Sequence, residues 1–212
     1  MVLPILSIAA LVSAGITISG HYLHPARPLL IGIFKPLTTI LILTVALLPG
    51  TLGSDPYARA IAAGLFLSLI GDIFLVLPDR FIHGLAAFLL AQIAYIVAFH
   101  SGAQAPGFPL AVLVLAGVAA GMLGYLWGAL DAGLRLPVSV YVIMIELMTA
   151  LAIGRSMQQP STAALLAAIG ATLFMCSDAM LAINRFRRPF HWADLGVLAT
   201  YFVAQLLIAR SV

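Results

Sequence analysis

The chain has 212 residues, of which 63% are hydrophobic and 8% charged, and its mean hydropathy is +1.16. That much apolar surface exceeds what one soluble core of ordinary composition can bury, so a water-soluble globular protein is excluded and an integral membrane protein is implied. The formal charge of +3 does not point to nucleic acid, because the ten basic residues are scattered between apolar segments and form no basic face.

A spanning helix needs roughly 20 residues, so this length fits about eight helices with short loops and no soluble domain. Residues 1–212 therefore read as a single all-α, polytopic transmembrane domain. The first apolar run, Val2 to Ser19, lacks a basic leader and continues past any early cleavage point. It reads as a retained helix and not as a signal peptide. Helices are predicted near 3–20, 29–48, 57–77, 82–100, 108–128, 137–154, 162–183 and 190–210. Pro28, Pro56, Pro109, Pro137 and Pro160 fall at or just before helix starts, where a missing N–H costs nothing, and Pro36 predicts a kink inside helix two. In helix five, Gly117, Gly121, Gly124 and Gly128 make small-xxx-small steps suited to close packing. Cys176 is the single cysteine, which excludes an internal disulfide; it reads as a packing residue.

With an even number of helices both termini lie on one side. The loops after helices one, three, five and seven carry Arg27, Arg80, Arg135, Arg185, Arg187 and Arg188, against Arg59, Arg155 and Arg210 in the opposite set. Six against three places the first set in the cytoplasm and both termini outside, as expected for a bacterial inner-membrane protein. Trp127 and Trp192 fall near helix ends, in the aromatic belt.

Asp72 and Asp178 sit inside long apolar runs. An ionisable group in hydrocarbon costs a few kcal/mol or more, so it normally faces the protein interior and has a task. Lys35 lies about six residues into helix two, roughly 9 Å at 1.5 Å per residue, and Asp72 and Asp178 are about five residues from the same side. Tyr141 lies one turn from Glu146 in helix six, and Asp194 begins helix eight. Shared depth predicts one polar cavity in one half of the membrane. Asp72 and Asp178 then form a carboxylate pair, one protonated as an acid and the other ionised as a base. Lys35 either snorkels, offsets the carboxylates or meets a lipid phosphate. His83 and His191 read as solvated interfacial histidines; no histidine pair has i, i+4 spacing, so no metal site is expected. Arg185, Arg187 and Arg188 set topology and are candidates for attracting an anionic headgroup. Gly71-Asp72 lacks the glycine two positions earlier that an intramembrane aspartyl protease needs, since position 69 is Leu.

A tandem repeat is also suggested. Asp72 to Asp178 and Tyr95 to Tyr201 are both 106 positions apart, half the chain, which would relate two parallel four-helix halves by an axis along the membrane normal.

Lys35-Pro36-Leu37, Leu69-Ile70-Gly71-Asp72-Ile73-Phe74-Leu75, Phe81-x2-Gly84-Leu85-x2-Phe88-x6-Tyr95, Tyr141 and Phe174-x2-Ser177-Asp178, in this order and at this length, resemble the YhhN-like, or lysoplasmalogenase, family. The resemblance runs from helix two to helix eight. It implies an eight-helix enzyme that hydrolyses the vinyl ether bond of lysoplasmalogens to a fatty aldehyde and glycerophospho-ethanolamine or -choline. The family's paired aspartates map onto Asp72 and Asp178, with Lys35, Tyr141, Glu146, Tyr95 and Asp194 as substrate-binding candidates; Gln92 stands where the family often has His. The implied partners are a lysophospholipid and the bilayer, and the chemistry requires no cofactor. The rival reading is a small proton-coupled carrier using Asp72, Asp178, Glu146 and Lys35, and a third is a noncatalytic lipid-binding protein.

Overall fold

A computed structural model describes residues 2–23, 27–48, 53 and 55–212. The described residues form α1 (Val2–Tyr22), α2 (Pro28–Leu47), α3 (Pro56–Val76), α4 (Phe81–Phe99), α5 (Phe108–Trp127), α6 (Ala132–Gln158), α7 (Thr162–Ala182) and α8 (Ala193–Ala209). A 3-10 turn (His100–Gln104) follows α4 and a π turn (Ile183–Arg187) follows α7. The first seven helices are long and apolar enough to cross a membrane, and α8, with 17 residues, is shorter.

The helices bury stripes at 3.6-residue spacing in which small and polar residues alternate with large apolar ones, as in Ala58, Ile61, Leu65, Ser68 and Asp72 of α3 or Lys35, Thr38, Thr39, Ile42 and Ala46 of α2. Leu, Ile, Val and Phe crowd the outward faces. Lipid is the solvent for those faces, so interior packing rests on small residues, van der Waals contact and interhelical hydrogen bonds. Ser13 and Thr38 join α1 to α2 at 2.7 Å, and Ser177 of α7 donates to the Val197 carbonyl of α8 at 2.9 Å.

Contacts along each neighbouring pair run in opposite chain directions. Gly64 packs on Tyr95 and Gly71 on Phe88; Gly170 packs on Ala204 and Gly196 on Met180; Gly20 packs on Ile31. The bundle therefore alternates up and down, and Arg27, Arg80, Arg135 and Arg185 to Arg188 gather at one end as the loop assignment requires.

Three expectations need correction. Helix six starts at Ala132 and not at 137, and it ends at Gln158 and not at 154. Pro137 is its sixth residue, so it forfeits only one backbone bond near an end of the bundle, where water can serve the freed carbonyl. Gly154 does not end α6; it lets α6 lie against the 3-10 turn, its Cα facing the backbone of Gly102. Gly117, Gly121, Gly124 and Gly128 mediate no close approach within the chain, since nothing lies within 4 Å of where their side chains would begin. The tight crossing is elsewhere. A Cβ on Gly102 would fall onto the Leu151 carbonyl oxygen and 2.5 Å from the Arg155 nitrogen, both rigid backbone atoms.

Gly102→Ala is expected to destabilise by about 1–3 kcal/mol, the cost of overpacking, whereas Gly121→Ala is neutral. Thermal unfolding in detergent checks this. Equal midpoints for the two variants would show that the crossing relaxes freely.

Candidate active site

The inward stripe of α3 carries Ser68 and Asp72 one turn apart, and that of α8 carries Tyr201 and Gln205 one turn apart. Packing the two antiparallel brings 72 to 201 and 68 to 205. Asp72 is 0% exposed; its Oδ2 accepts from Thr39 Oγ1 at 2.6 Å and from Tyr201 OH at 2.7 Å, and Lys35 Nζ stands 3.3 Å from Oδ1. One charge of each sign and two hydroxyls thus close a compact cluster. In the next layer Gln205 accepts from Tyr95 OH at 2.7 Å and donates to Ser68 Oγ at 2.9 Å.

A cavity of about 210 Å³ opens between α4, α5, α6 and α7. Leu85, Phe88, Val118, Met122, Val142, Ile145 and Met175 make its walls apolar, and Tyr141, Glu146 and Asp178 supply polar groups. The Tyr141 hydroxyl donates to Asp178 Oδ2, its hydrogen-bond donor among the described residues. Glu146 Oε2 is buried without a partner. Gln92 of α4 is 0% exposed, and its amide lies near the Tyr141 hydroxyl with neither end making a hydrogen bond among the described residues.

Phe88 separates the cavity from the Asp72 cluster. One side of its ring lines the cavity, its edge meets Tyr201 at 5.8 Å, and it lies over Gly71, where a Cβ would come within 2.6 Å of it. That close approach requires a glycine next to Asp72.

The cavity is thus largely apolar, with two carboxyls and a phenol as its polar groups. The YhhN family model matches residues 30–212. The chain belongs to the YhhN family. Lysoplasmalogenase TMEM86B of Homo sapiens is 34% identical over 160 residues, 74% of this chain and 65% of the relative. Lysoplasmalogenase TMEM86A of Homo sapiens is 34% identical over 174 residues, 76% and 68% of the two chains. The uncharacterized membrane protein YhhN of Escherichia coli O157:H7 is 31% identical over 208 residues, 96% of each. The chain spans just under two thirds of the length of the TMEM86B relative. No solved structure matches.

In this YhhN-family chain the sequence-derived residues fall into separate places instead of one cavity. Tyr141, Glu146 and Asp178 line the cavity, while Asp72 and Lys35 lie beside it in the sealed cluster. Tyr95 does not line it, because its hydroxyl is committed to Gln205. Asp194 stands apart at the bundle end, 53% exposed in its side chain and 3.3 Å from His21 Nδ1. The two aspartates are not held by equivalent partners: Asp72 accepts from Tyr201, whereas Asp178 accepts from Tyr141 and not from Tyr95, the residue offset by 106 from Tyr201. Sequence reasoning missed Thr39, Tyr201 as a carboxylate partner, and Phe88 as the dividing wall. A phenol at mid-helix, rare in an apolar segment, was the available signal for Tyr201. Among the described residues no three His, Cys, Asp or Glu side chains converge to hold a metal ion.

Proposed function

We propose that this YhhN-family protein hydrolyses the vinyl ether bond of lysoplasmalogens, releasing a fatty aldehyde and glycerophospho-ethanolamine or -choline. The observation that carries the reading is Asp178, a carboxyl held by a phenol in a mostly apolar cavity that it shares with Glu146. The TMEM86 relatives, named as lysoplasmalogenases, support it.

Hydrolysis begins with protonation of the vinyl β-carbon, which leaves an oxocarbenium ion. A positioned carboxylic acid serves that step by general acid catalysis. Tyr141 engages Oδ2 of Asp178, which leaves Oδ1 to deliver the proton. The resulting Asp178 carboxylate stabilises the cation and takes a proton from the water that attacks it. The hemiacetal then breaks its bond to the glyceryl oxygen as a proton passes from its hydroxyl to that oxygen. One water is consumed and Asp178 is protonated again. Asp72 acts on this sequence through its charge, held beside the cavity by Lys35, Thr39 and Tyr201. Carboxylate pairs serve oxocarbenium-like transition states in glycosidases in a comparable way.

Purified protein in detergent is expected to release aldehyde from lysoplasmenylethanolamine. A proton-coupled carrier or a lipid-binding protein would release none, with no sealed compartment to work across.

The orientation reading gives a separate expectation. A reporter fused after Val212 should register outside the cytoplasm, because the arginine-rich end, with Arg80 and Arg185 to Arg188, faces in. A cytoplasmic signal would reverse the orientation without touching the chemistry.

A further inference from the structure

Lys35 was the sequence candidate for a lipid phosphate, and the structure commits it to Asp72. A different set of cations stands at the cavity. Phe81, at the start of α4, and Phe186, in the π turn after α7, both line the cavity and meet edge to face at 5.7 Å. The guanidinium of Arg185 lies over the Phe81 ring at 5.1 Å, and that of Arg187 lies over Tyr125 of α5 at the same distance. The two arginines therefore flank Phe186, one toward α4 and one toward α5, and both are exposed.

No carboxylate among the described residues pairs with them. Asp79, Asp131 and Asp194 lie at the same end, yet the ion pairs among the described residues are His21 with Asp194 and Lys35 with Asp72. Stacking on an aromatic face leaves all five N–H donors in the guanidinium plane free, in the fork that fits a phosphate oxygen pair. Arg135, over Trp127 at 5.1 Å, repeats the arrangement, and its Nε is buried with no acceptor. These donors are oriented by aromatic rings.

We propose that Arg185 and Arg187, beside the Phe81 and Phe186 end of the cavity, form a phosphate site that holds the headgroup of the lipid while its chain occupies the cavity. This rests on the lysoplasmalogen reading for its reaction but not for its ligand. The register is appropriate. Arg185 is seven residues from Asp178, four steps along α7 at about 1.5 Å each and three in the π turn, and the glycerol backbone must bridge phosphate and vinyl ether over that interval. Phosphate binding at Arg185 places the reacting bond at Asp178 and not at the cavity's far wall.

The test compares R185Q/R187Q with the parent on two substrates bearing the same vinyl ether, lysoplasmenylethanolamine and the phosphate-free 1-alkenylglycerol. The preference for the phosphate lipid, as a ratio of kcat/KM values, should fall at least about tenfold, mainly through KM, since two charge-assisted hydrogen-bonding groups are lost. Turnover of the phosphate-free lipid shows that the variant is folded, and R185K/R187K should fall between, keeping charge without the fork. An unchanged ratio overturns the proposal. Binding of the nonhydrolysable 1-alkylglycerol 3-phosphate is measured in parallel and needs no turnover, so it still decides the site if the hydrolase reading fails. At least tenfold weaker binding by R185Q/R187Q supports the site, and equal binding overturns it. Displacement of that lipid by millimolar orthophosphate would assign the site to free phosphate as well; resistance to orthophosphate would assign it to the headgroup.

Discussion

Asp178→Asn is expected to lower aldehyde release by at least about 10²-fold, the low end for loss of a general acid. The amide keeps the size of the side chain and can still accept from Tyr141, so the cavity stays intact. It has no proton to give the β-carbon and no basic oxygen for the water. The loss should fall on kcat and kcat/KM alike, because the interaction removed exists in the transition state. Tyr141→Phe removes the hydroxyl that orients the carboxyl but leaves the proton donor, so a smaller loss is expected. A well-folded Asp178→Asn protein with parental turnover would eliminate the hydrolase mechanism and make the carrier the leading reading.

Lys35→Met is expected to be the most destabilising single change in the polar interior. It leaves the Asp72 carboxylate, 0% exposed, without a counter-charge, and breaking a buried pair from one side costs about 3–5 kcal/mol. Asp72→Asn strands the ammonium in the same way, so this variant should not be stable merely because a buried charge has gone. The double variant Lys35→Met/Asp72→Asn should recover most of the loss, because both charges leave together and the amide can still accept from Thr39 and Tyr201. Thermal unfolding of the four proteins in one detergent gives the coupling directly. A double variant no more stable than the worse single would show that the pair is not coupled. Activity separates the roles: a stable double variant that remains slow would assign Asp72 an electrostatic contribution to catalysis.

Much of this molecule was legible from residue patterns. The helix bounds at α1 to α5 and α7 fall within a few residues of expectation, because apolar length and proline position are local properties. Helix depth also places two of the contacts. Lys35 and Asp72 do meet, and Tyr141 and Asp178 do meet, since residues at equal depth on antiparallel helices can be neighbours. Depth alone does not give azimuth around the bundle. That is why one expected cavity became two compartments divided by Phe88, and why Tyr95 and Asp194, plausible by position, stand away from the cavity.

The glycine steps of α5 make the same point in reverse. Their spacing is correct for close packing, but α5 is the least enclosed of the seven long helices, and the glycines face no neighbour. Glycines at Gly64, Gly71, Gly102 and Gly154, which have no motif spacing to distinguish them, make the close approaches instead.

Sequence by itself determined the class of solvent, the alternating helices and the arginine-rich end. Each helix satisfies its own backbone in hydrocarbon, so apolar length and loop charge suffice for those. Only the tertiary structure decided which partner Asp72 and Asp178 each have, that Lys35 is paired with Asp72, and that Arg185 and Arg187 lie over the Phe81 and Tyr125 rings beside the cavity. Those facts depend on the rotation of α3, α6, α7 and α8 about their own axes. That rotation is set by the fit of small residues between helices, a nonlocal balance that no single segment encodes.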